Sequence, residues 1–343
     1  LFDVSPIRKI RITGAAAGKL LDYVLTRPVS NIQSMRGIYV AYCHEDGSMK
    51  DDSILYKFAH DDYLLMPSDI DHSAYLDSFR ELLAIGDSDL NITECTDDWH
   101  GVALQGPQSA SVLSTMGFEQ IDELHPFEVR YYTIAGAKVV VARMGFTADL
   151  GFELWFEPEF TPMFQALIKE VRNTKKLAIP AYGLTALEAC RLEGAFIVAG
   201  WDFSTEADPN PDFLRSPFEV GLGWLVNLNA DNFVGRDALV AQKTHSHRFV
   251  LRQFKIDQHC DVEDSLAVYA MVNGGQQAVG TVNCSAWSWG LNSLIGNLSI
   301  ARQHSDCAEA WIFIKGERFD MTLSRGPFFK DPRRNQTPAS LLD

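Results

Sequence analysis

The chain has 343 residues, of which 46% are hydrophobic, 22% charged and 11% aromatic. That is a globular mixture, and it excludes a disordered tail, a collagen or a coiled coil. Its 45 acidic against 30 basic residues leave a formal charge of -15, which repels phosphate backbones and anionic lipid surfaces, so neither nucleic acid nor a membrane is expected as a partner. The length suits two or three domains with a core that needs no disulfide or metal staple.

From the N-terminus, Arg8 to Ile12 alternates like a half-buried strand, and Gly14 to Leu25 reads as a helix with Leu20, Leu21, Val24 and Leu25 inward. Ile38–Cys43 and Ser53–Phe58 predict a hairpin turning through Glu45-Asp46-Gly47, and Tyr63–Met66 a further strand stopped by Pro67. Val102–Gln105 predicts a strand broken by Gly106-Pro107, where Pro107 suits the first turn of a helix running towards Gly117. Two strands are expected within 129–144, another at Phe152–Phe156, and an amphipathic helix over Phe160–Val171. Thr185 and Glu188 have capping-box spacing for a helix ended by Gly194.

Beyond Arg236 the texture changes to six short strand candidates, beginning at Phe249–Ile256 and ending at Phe319–Leu323. The pattern predicts an α+β body over residues 1–245, in two intertwined subdomains, followed by an all-β, barrel-like domain over 246–343.

The six cysteines are widely spread, without the paired short spacing of zinc or dithiol sites, and reduced thiols are expected. His245 and His247 lack a nearby third ligand, so no metal is expected. No apolar stretch approaches the roughly 18 residues of a membrane span, and no signal-like segment follows Leu1; a cytoplasmic protein is the expectation. Basic residues gather early, at Arg8, Lys9, Arg11, Lys19, Arg27 and Arg36. They suit either a small anionic ligand or a solvated surface.

No Walker loop, nucleophile elbow or full dinucleotide fingerprint is present. Asp51 and Asp52 enter the apolar run Ile54-Leu55-Tyr56, and strand alternation should turn one inward and the other to solvent. The inward acid is a structural acceptor or an acid/base group. Gln105, before the Gly-Pro break, suits a flat heterocycle or a turn brace. Glu153 lies between Phe152 and Leu154, where a buried carboxylate needs donors that a ligand with adjacent N–H groups can supply.

Taken in order, Leu1-Phe2-Asp3-Val4-Ser5, Asp46-Gly47-Ser48-Met49-Lys50-Asp51-Asp52, Leu104-Gln105-Gly106-Pro107, Gly151-Phe152-Glu153-Leu154, Arg191-Leu192-Glu193-Gly194 and Phe233-Val234-Gly235-Arg236-Asp237-Ala238-Leu239 resemble the aminomethyltransferase family over nearly the whole chain. The family includes the glycine-cleavage T protein and tetrahydrofolate-dependent demethylases. The resemblance implies a three-part fold around a folate channel, with tetrahydrofolate accepting a one-carbon unit on N5. It implies that Glu153 grips the pterin edge, that Gln105, Tyr39 and Arg191 line the folate site, and that Asp51 is the acid beside the reacting nitrogens.

The chain departs from the T-protein pattern at Ser5-Pro6-Ile7, Phe146-Thr147-Ala148-Asp149, Arg191-Leu192-Glu193-Gly194-Ala195, near Pro67 and at Ala286-Trp287-Ser288-Trp289. Pro217-Phe218-Glu219-Val220-Gly221-Leu222 and Ser68-Asp69 look more like the dimethylsulfoniopropionate demethylase branch. The expected reaction is therefore methyl transfer from a small sulfonium or ammonium compound, with Trp201, Trp289 and Asp52 on the substrate side and Trp155 and Trp287 as further wall or core. Aminomethyl transfer to give methylenetetrahydrofolate, a methoxy-aromatic donor and a non-enzymatic folate-binding role are the alternatives.

Overall fold

In the computed structural model, residues 1–245, 247–307 and 309–338 are described. The first strands and helices are β1 (Phe2–Asp3), β2 (Ile10–Thr13), α1 (Ala17–Val24), β3 (Arg36–Cys43), β4 (Met49–Ala59), β5 (Asp62–Met66), α2 (Ser73–Asp77) and β6 (Asn91–Glu94). They are followed by β7 (His100–Gln105), α3 (Ser109–Thr115), β8 (Val129–Ile134), β9 (Ala137–Ala142), β10 (Gly151–Phe156), α4 (Thr161–Lys175) and α5 (Leu184–Glu193). The chain continues through α6 (Arg236–His245) into β11 (Phe249–Ile256), β12 (Ala267–Val272), β13 (Gly275–Ser288), β14 (Ser293–Ala301), β15 (Glu309–Ile314) and β16 (Glu317–Ser324).

Two five-stranded sheets, ordered β1-β7-β10-β9-β8 and β3-β4-β5-β2-β6, make the body. The last six strands close into a barrel, which leaves no free edge. The α+β body with a C-terminal β-barrel is thus what the alternation of apolar residues predicts. Thr185 is a correction: α5 starts at Leu184 behind Gly183, with no side-chain cap, so Thr185 sits inside the helix.

Both sheets are covered on both faces. Leu104, Val139, Val141, Phe152, Leu154 and Phe156 pack with residues of α3 and α4 on the outer side of the first sheet. Ile10, Ile12, Val40, Tyr42, Leu55 and Leu65 pack with α1 on the outer side of the second. A third cluster joins the inner faces, with Ala103, Val140, Ala142 and Trp155 from one sheet and Tyr56, Phe58, Leu64 and Met66 from the other. The body is therefore four layers, helix-sheet-sheet-helix, and its centre lies between the sheets. This double burial is why the strands read as nearly continuous apolar runs. A fourth cluster seats Ala41 and Met49 against Ile197, Phe203, Val220, Leu222 and Leu225, with Tyr39 and Leu251 packed on it. Segment 197–225 thus covers one end of the inner face and joins it to the barrel.

Register decides which side chains reach the centre. In the β3–β4 hairpin Tyr42 faces Asp51 and Ala41 faces Asp52, with a bulge between Tyr42 and Cys43. Because neighbours on a strand alternate, Asp52, Ile54 and Tyr56 point to the inner face while Asp51, Ser53 and Leu55 point away from it. On β10, Glu153 faces Ala103 on one side and Ala142 on the other. Both alanines belong to the inner cluster, so Glu153 is an inner-face residue too.

Candidate active site

Glu153 and Tyr56 meet across the gap between the sheets. The Tyr56 hydroxyl donates to Glu153 Oε2 at 3.1 Å and lies 2.9 Å from Met144 Sδ. Tyr56 is the carboxyl's only donor among the described residues. Burial pushes the Glu153 carboxyl up to about 7, against a smaller opposing effect of the Tyr56 hydrogen bond. A half-buried acid with one donor has unspent acceptor capacity. Tyr182, stacked on Phe2 at 5.2 Å, adds a buried hydroxyl with no partner among the described residues. Its pKa is raised by burial first and also by the charges of Cys190 and Glu153, which puts Tyr182 in this neighbourhood.

Along β4, Asp52 lies four residues before Tyr56 on the same face, roughly 13 Å away at 3.3 Å per residue. Its Oδ2 accepts a hydrogen bond from the Tyr39 hydroxyl. Burial, and then the negative charge of Asp51, raise the Asp52 pKa; burial, and then the Asp52 charge, raise that of Tyr39. The Tyr39 ring stands 6.2 Å from Trp224, which is 65% exposed. The inner face thus carries two acids held towards neutrality, each hydrogen-bonded by a tyrosine, and the Tyr39 end reaches the surface at Trp224.

Asp51 is placed differently. It is fully buried on the outer face, where Oδ2 accepts from the Ser68 hydroxyl at 2.8 Å, the Ser68 N–H at 3.3 Å and the Tyr42 hydroxyl at 3.4 Å, and lies 3.0 Å from His72 Nε2. Its Oδ1 accepts the Asp52 backbone N–H at 2.8 Å. Neither acid faces solvent as strand alternation alone suggests, because helices cover the outer face and segment 197–225 the inner one.

Gln105 braces rather than reaches. Its amide donates to the carbonyls of Met144 and Phe152, both at 3.2 Å, and its oxygen accepts from Thr147 at 2.9 Å. A Cβ at Gly145 or Gly151 would fall about 2 Å from this amide, at 1.9 and 2.0 Å, so both glycines exist to admit it. Arg191 is likewise spent. It is fully buried, and its five N–H groups go to both carboxylate oxygens of Glu188, Asp202 Oδ2 at 3.2 Å, the Phe196 carbonyl at 2.9 Å and Cys284 Sγ at 3.1 Å. A folate contact would cost it one of these partners, so the structure gives it the junction of α5, loop 196–202 and the barrel.

Trp201 stacks over Arg191 at 5.3 Å and is 44% exposed, while Trp289 is 84% exposed and meets Trp287 at 6.4 Å. Trp155 is buried inner-face core. Sequence reasoning missed Tyr56, Trp224 and Tyr182. Tyr56 had a usable signal, its even spacing from Asp52; Trp224 lies in a single 3-10 turn and Tyr182 outside any helix or strand, and their partners are distant in sequence. Surface hollows of about 450 Å³ beside His247 and Arg302, and of about 310 Å³ beside Arg11 and Trp99, are lined by none of these residues.

Two stacked sheets with inward acids thus lead into a closed barrel. Residues 1–230 match the GCVT N-terminal domain model, and the chain belongs to this aminomethyltransferase family. It is 30% identical over 313 residues to a trimethylamine-oxide aldolase of Ruegeria pomeroyi, covering 88% of this chain but only 37% of that longer protein. It is 29% identical to an aminomethyltransferase of Clostridium botulinum, covering 89% of this chain and 79% of the relative. The fold matches glycine cleavage system aminomethyltransferase T from Bartonella henselae with a TM-score of 0.77 at 19% identity, over 98% of this chain and 86% of that one. No helix among the described residues is long and apolar enough to cross a membrane.

Proposed function

We propose that the protein moves a methyl group from a small sulfonium or ammonium compound to tetrahydrofolate. The observation that carries this reading is the Glu153 carboxyl, half-buried between the sheets with Tyr56 as its one donor. A ring edge with paired N–H groups fits that deficit, and the unpartnered Tyr182 hydroxyl fits the same neighbourhood. Tetrahydrofolate, when bound, supplies the nucleophilic nitrogen N5 that takes the methyl group.

The chain's own residues have modest tasks in such a transfer. Sulfonium and ammonium donors leave as neutral molecules, with the carbon–heteroatom electron pair kept by sulfur or nitrogen, so no protein nucleophile is needed. Alignment and exclusion of water are the main requirements. Glu153 and Tyr56 orient the acceptor. Asp52, held by Tyr39 and by the Asp51 charge behind it, would favour the cationic donor and take the N–H proton that N5, a secondary amine, sheds once it is methylated to a tertiary amine. Asp51 supports Asp52 through its backbone N–H. A cytoplasmic location is part of the same proposal.

Aminomethyl transfer is the second reading, favoured by Asp52 itself. Expelling an amine and closing a ring between folate nitrogens demands proton transfer, and an acid held towards neutrality can provide it. Incubation with tetrahydrofolate and a panel of methylated onium compounds, read by mass spectrometry, should yield methyltetrahydrofolate. Methylenetetrahydrofolate, formed only with aminomethyl donors, would transfer the assignment to the second reading. Asp52→Asn should cripple methylene formation and slow methyl transfer less; equal severe losses would contradict the division of roles.

A further inference from the structure

Among the described residues Arg27 has no acidic partner, in a protein carrying fifteen excess negative charges. It follows α1 in a segment pinned beside β3: Leu25 bridges to Tyr42, the Thr26 N–H donates to the Ala41 carbonyl at 3.0 Å, and the Thr26 hydroxyl donates to the Leu225 carbonyl at 3.0 Å. These bonds fix where the Arg27 side chain starts and bring the Leu225 segment, with Trp224, beside it. The guanidinium stands 6.0 Å over the Trp224 ring. Its Nε is buried with no hydrogen-bond partner.

Burial alone lowers the Arg27 pKa, with no acidic group close enough to oppose it. The polar groups beside it are already bonded within the chain: Thr26 on Leu225 and Tyr39 on Asp52. A partly desolvated guanidinium beside an exposed indole is therefore left with an open fork at the mouth of the site. Its planar donors match a carboxylate, and the ring beside it suits a flat or cationic neighbour of that carboxylate.

We propose that Arg27 and Trp224 form a carboxylate-binding subsite at the open end of the row that runs from Glu153 through Tyr56, Asp52 and Tyr39. The inference rests on the reading of the inner face as the ligand site and adds the charge that ligand must carry. Two molecules can bring the carboxylate: the acceptor, through its glutamyl tail, or the methyl donor, if it is a zwitterion. In either case the anion replaces the missing counter-charge and satisfies Nε.

Calorimetric titration of the whole chain with three probes tests this. The probes are 4-aminobenzoylglutamate for the tail alone, 6-methyltetrahydropterin for the head alone, and glycine betaine for a carboxylated onium. Arg27→Met should weaken either the tail fragment or the betaine at least tenfold, the loss expected for a charge-assisted hydrogen bond, and leave the pterin unchanged. Loss with the tail fragment assigns the carboxylate to the acceptor; loss with the betaine assigns it to the donor. Unchanged affinity for both, or no binding of either by the unsubstituted protein, overturns the subsite. Arg27→Lys, which keeps the charge but not the fork, should retain more affinity than Arg27→Gln, and this pair decides the matter if the methionine variant does not fold. Failure of the pterin to bind the unsubstituted protein would instead refute the folate reading, separately from the fate of the carboxylate probes.

Discussion

At the junction of α5 with the barrel, Asp202 and Arg191 are both fully buried and both fully partnered. Asp202 accepts from Asn283 at 2.9 Å, the Val198 N–H at 3.0 Å, Asn297 at 3.2 Å and Arg191 at 3.2 Å, while Arg191 has no N–H left over. Between the sheets the pattern reverses: Glu153 has one donor, Tyr182 a stranded hydroxyl, and Arg27 at the mouth an empty Nε. Both regions hold charge away from water, so burial alone does not separate structure from function. Completeness of bonding does, because a group satisfied within the chain has nothing to offer a ligand, whereas an incomplete one lowers stability until something binds.

That contrast can be broken most forcefully at the junction. Asp202→Ala strands the Arg191 guanidinium in the interior and should cost about 3–5 kcal/mol of stability, read from urea unfolding. A loss below the range of an ordinary surface substitution would mean that Arg191 is not held by this network. At the inner face the order of effects should invert. Glu153→Ala should leave the urea midpoint unchanged or higher, yet weaken tetrahydrofolate binding by roughly 1.5–3 kcal/mol, measured by calorimetry. Unaltered affinity would remove Glu153 from the ligand site.

A smaller effect sharpens the comparison through pH. The Glu153 carboxyl is raised from 4.5 to about 7 in the folded chain, so between those values the folded state holds a proton that the unfolded state has released. Its contribution to stability is complete below pH 4.5 and is lost as pH rises through about 7. Urea midpoints should therefore fall across that window, and Glu153→Gln should flatten the decline. Asp52 is shifted in the same direction, so Asp52→Asn should remove a further part of the slope.

Much of the fold was legible because apolar alternation is local: the β3–β4 hairpin, β10 and the six barrel strands are each visible in their own residues. Glu153 was legible as a problem, a carboxylate among residues that want burial. The choice between Asp51 and Asp52 was not, since strand parity says that they diverge but not which of them faces the second sheet. Deciding it requires knowing that α1 covers one face and a second sheet the other. Gln105 and Arg191 were legible as polar groups in apolar settings, but their partners, Met144 and Thr147 for one and Asp202 and Cys284 for the other, come together only through tertiary folding. Trp224 sits in a single 3-10 turn, too short for periodicity to point to it, and Arg27 was legible only as one of six early basic residues that suit an anionic ligand or a solvated surface alike.

The parity of β4 carries a last implication. Alternate residues of this one strand serve two compartments, Asp52 and Tyr56 looking one way and Asp51 and Leu55 the other, and the irregularities at Cys43 and between Lys57 and Ala59 lock its alignment. A single residue inserted between those two locks would turn the strand inside out, exchanging every inward tenant for an outward one. Sequence drift in this hairpin is thus confined to swaps that keep the odd-even count, so length, more than identity, is what evolution must hold constant there.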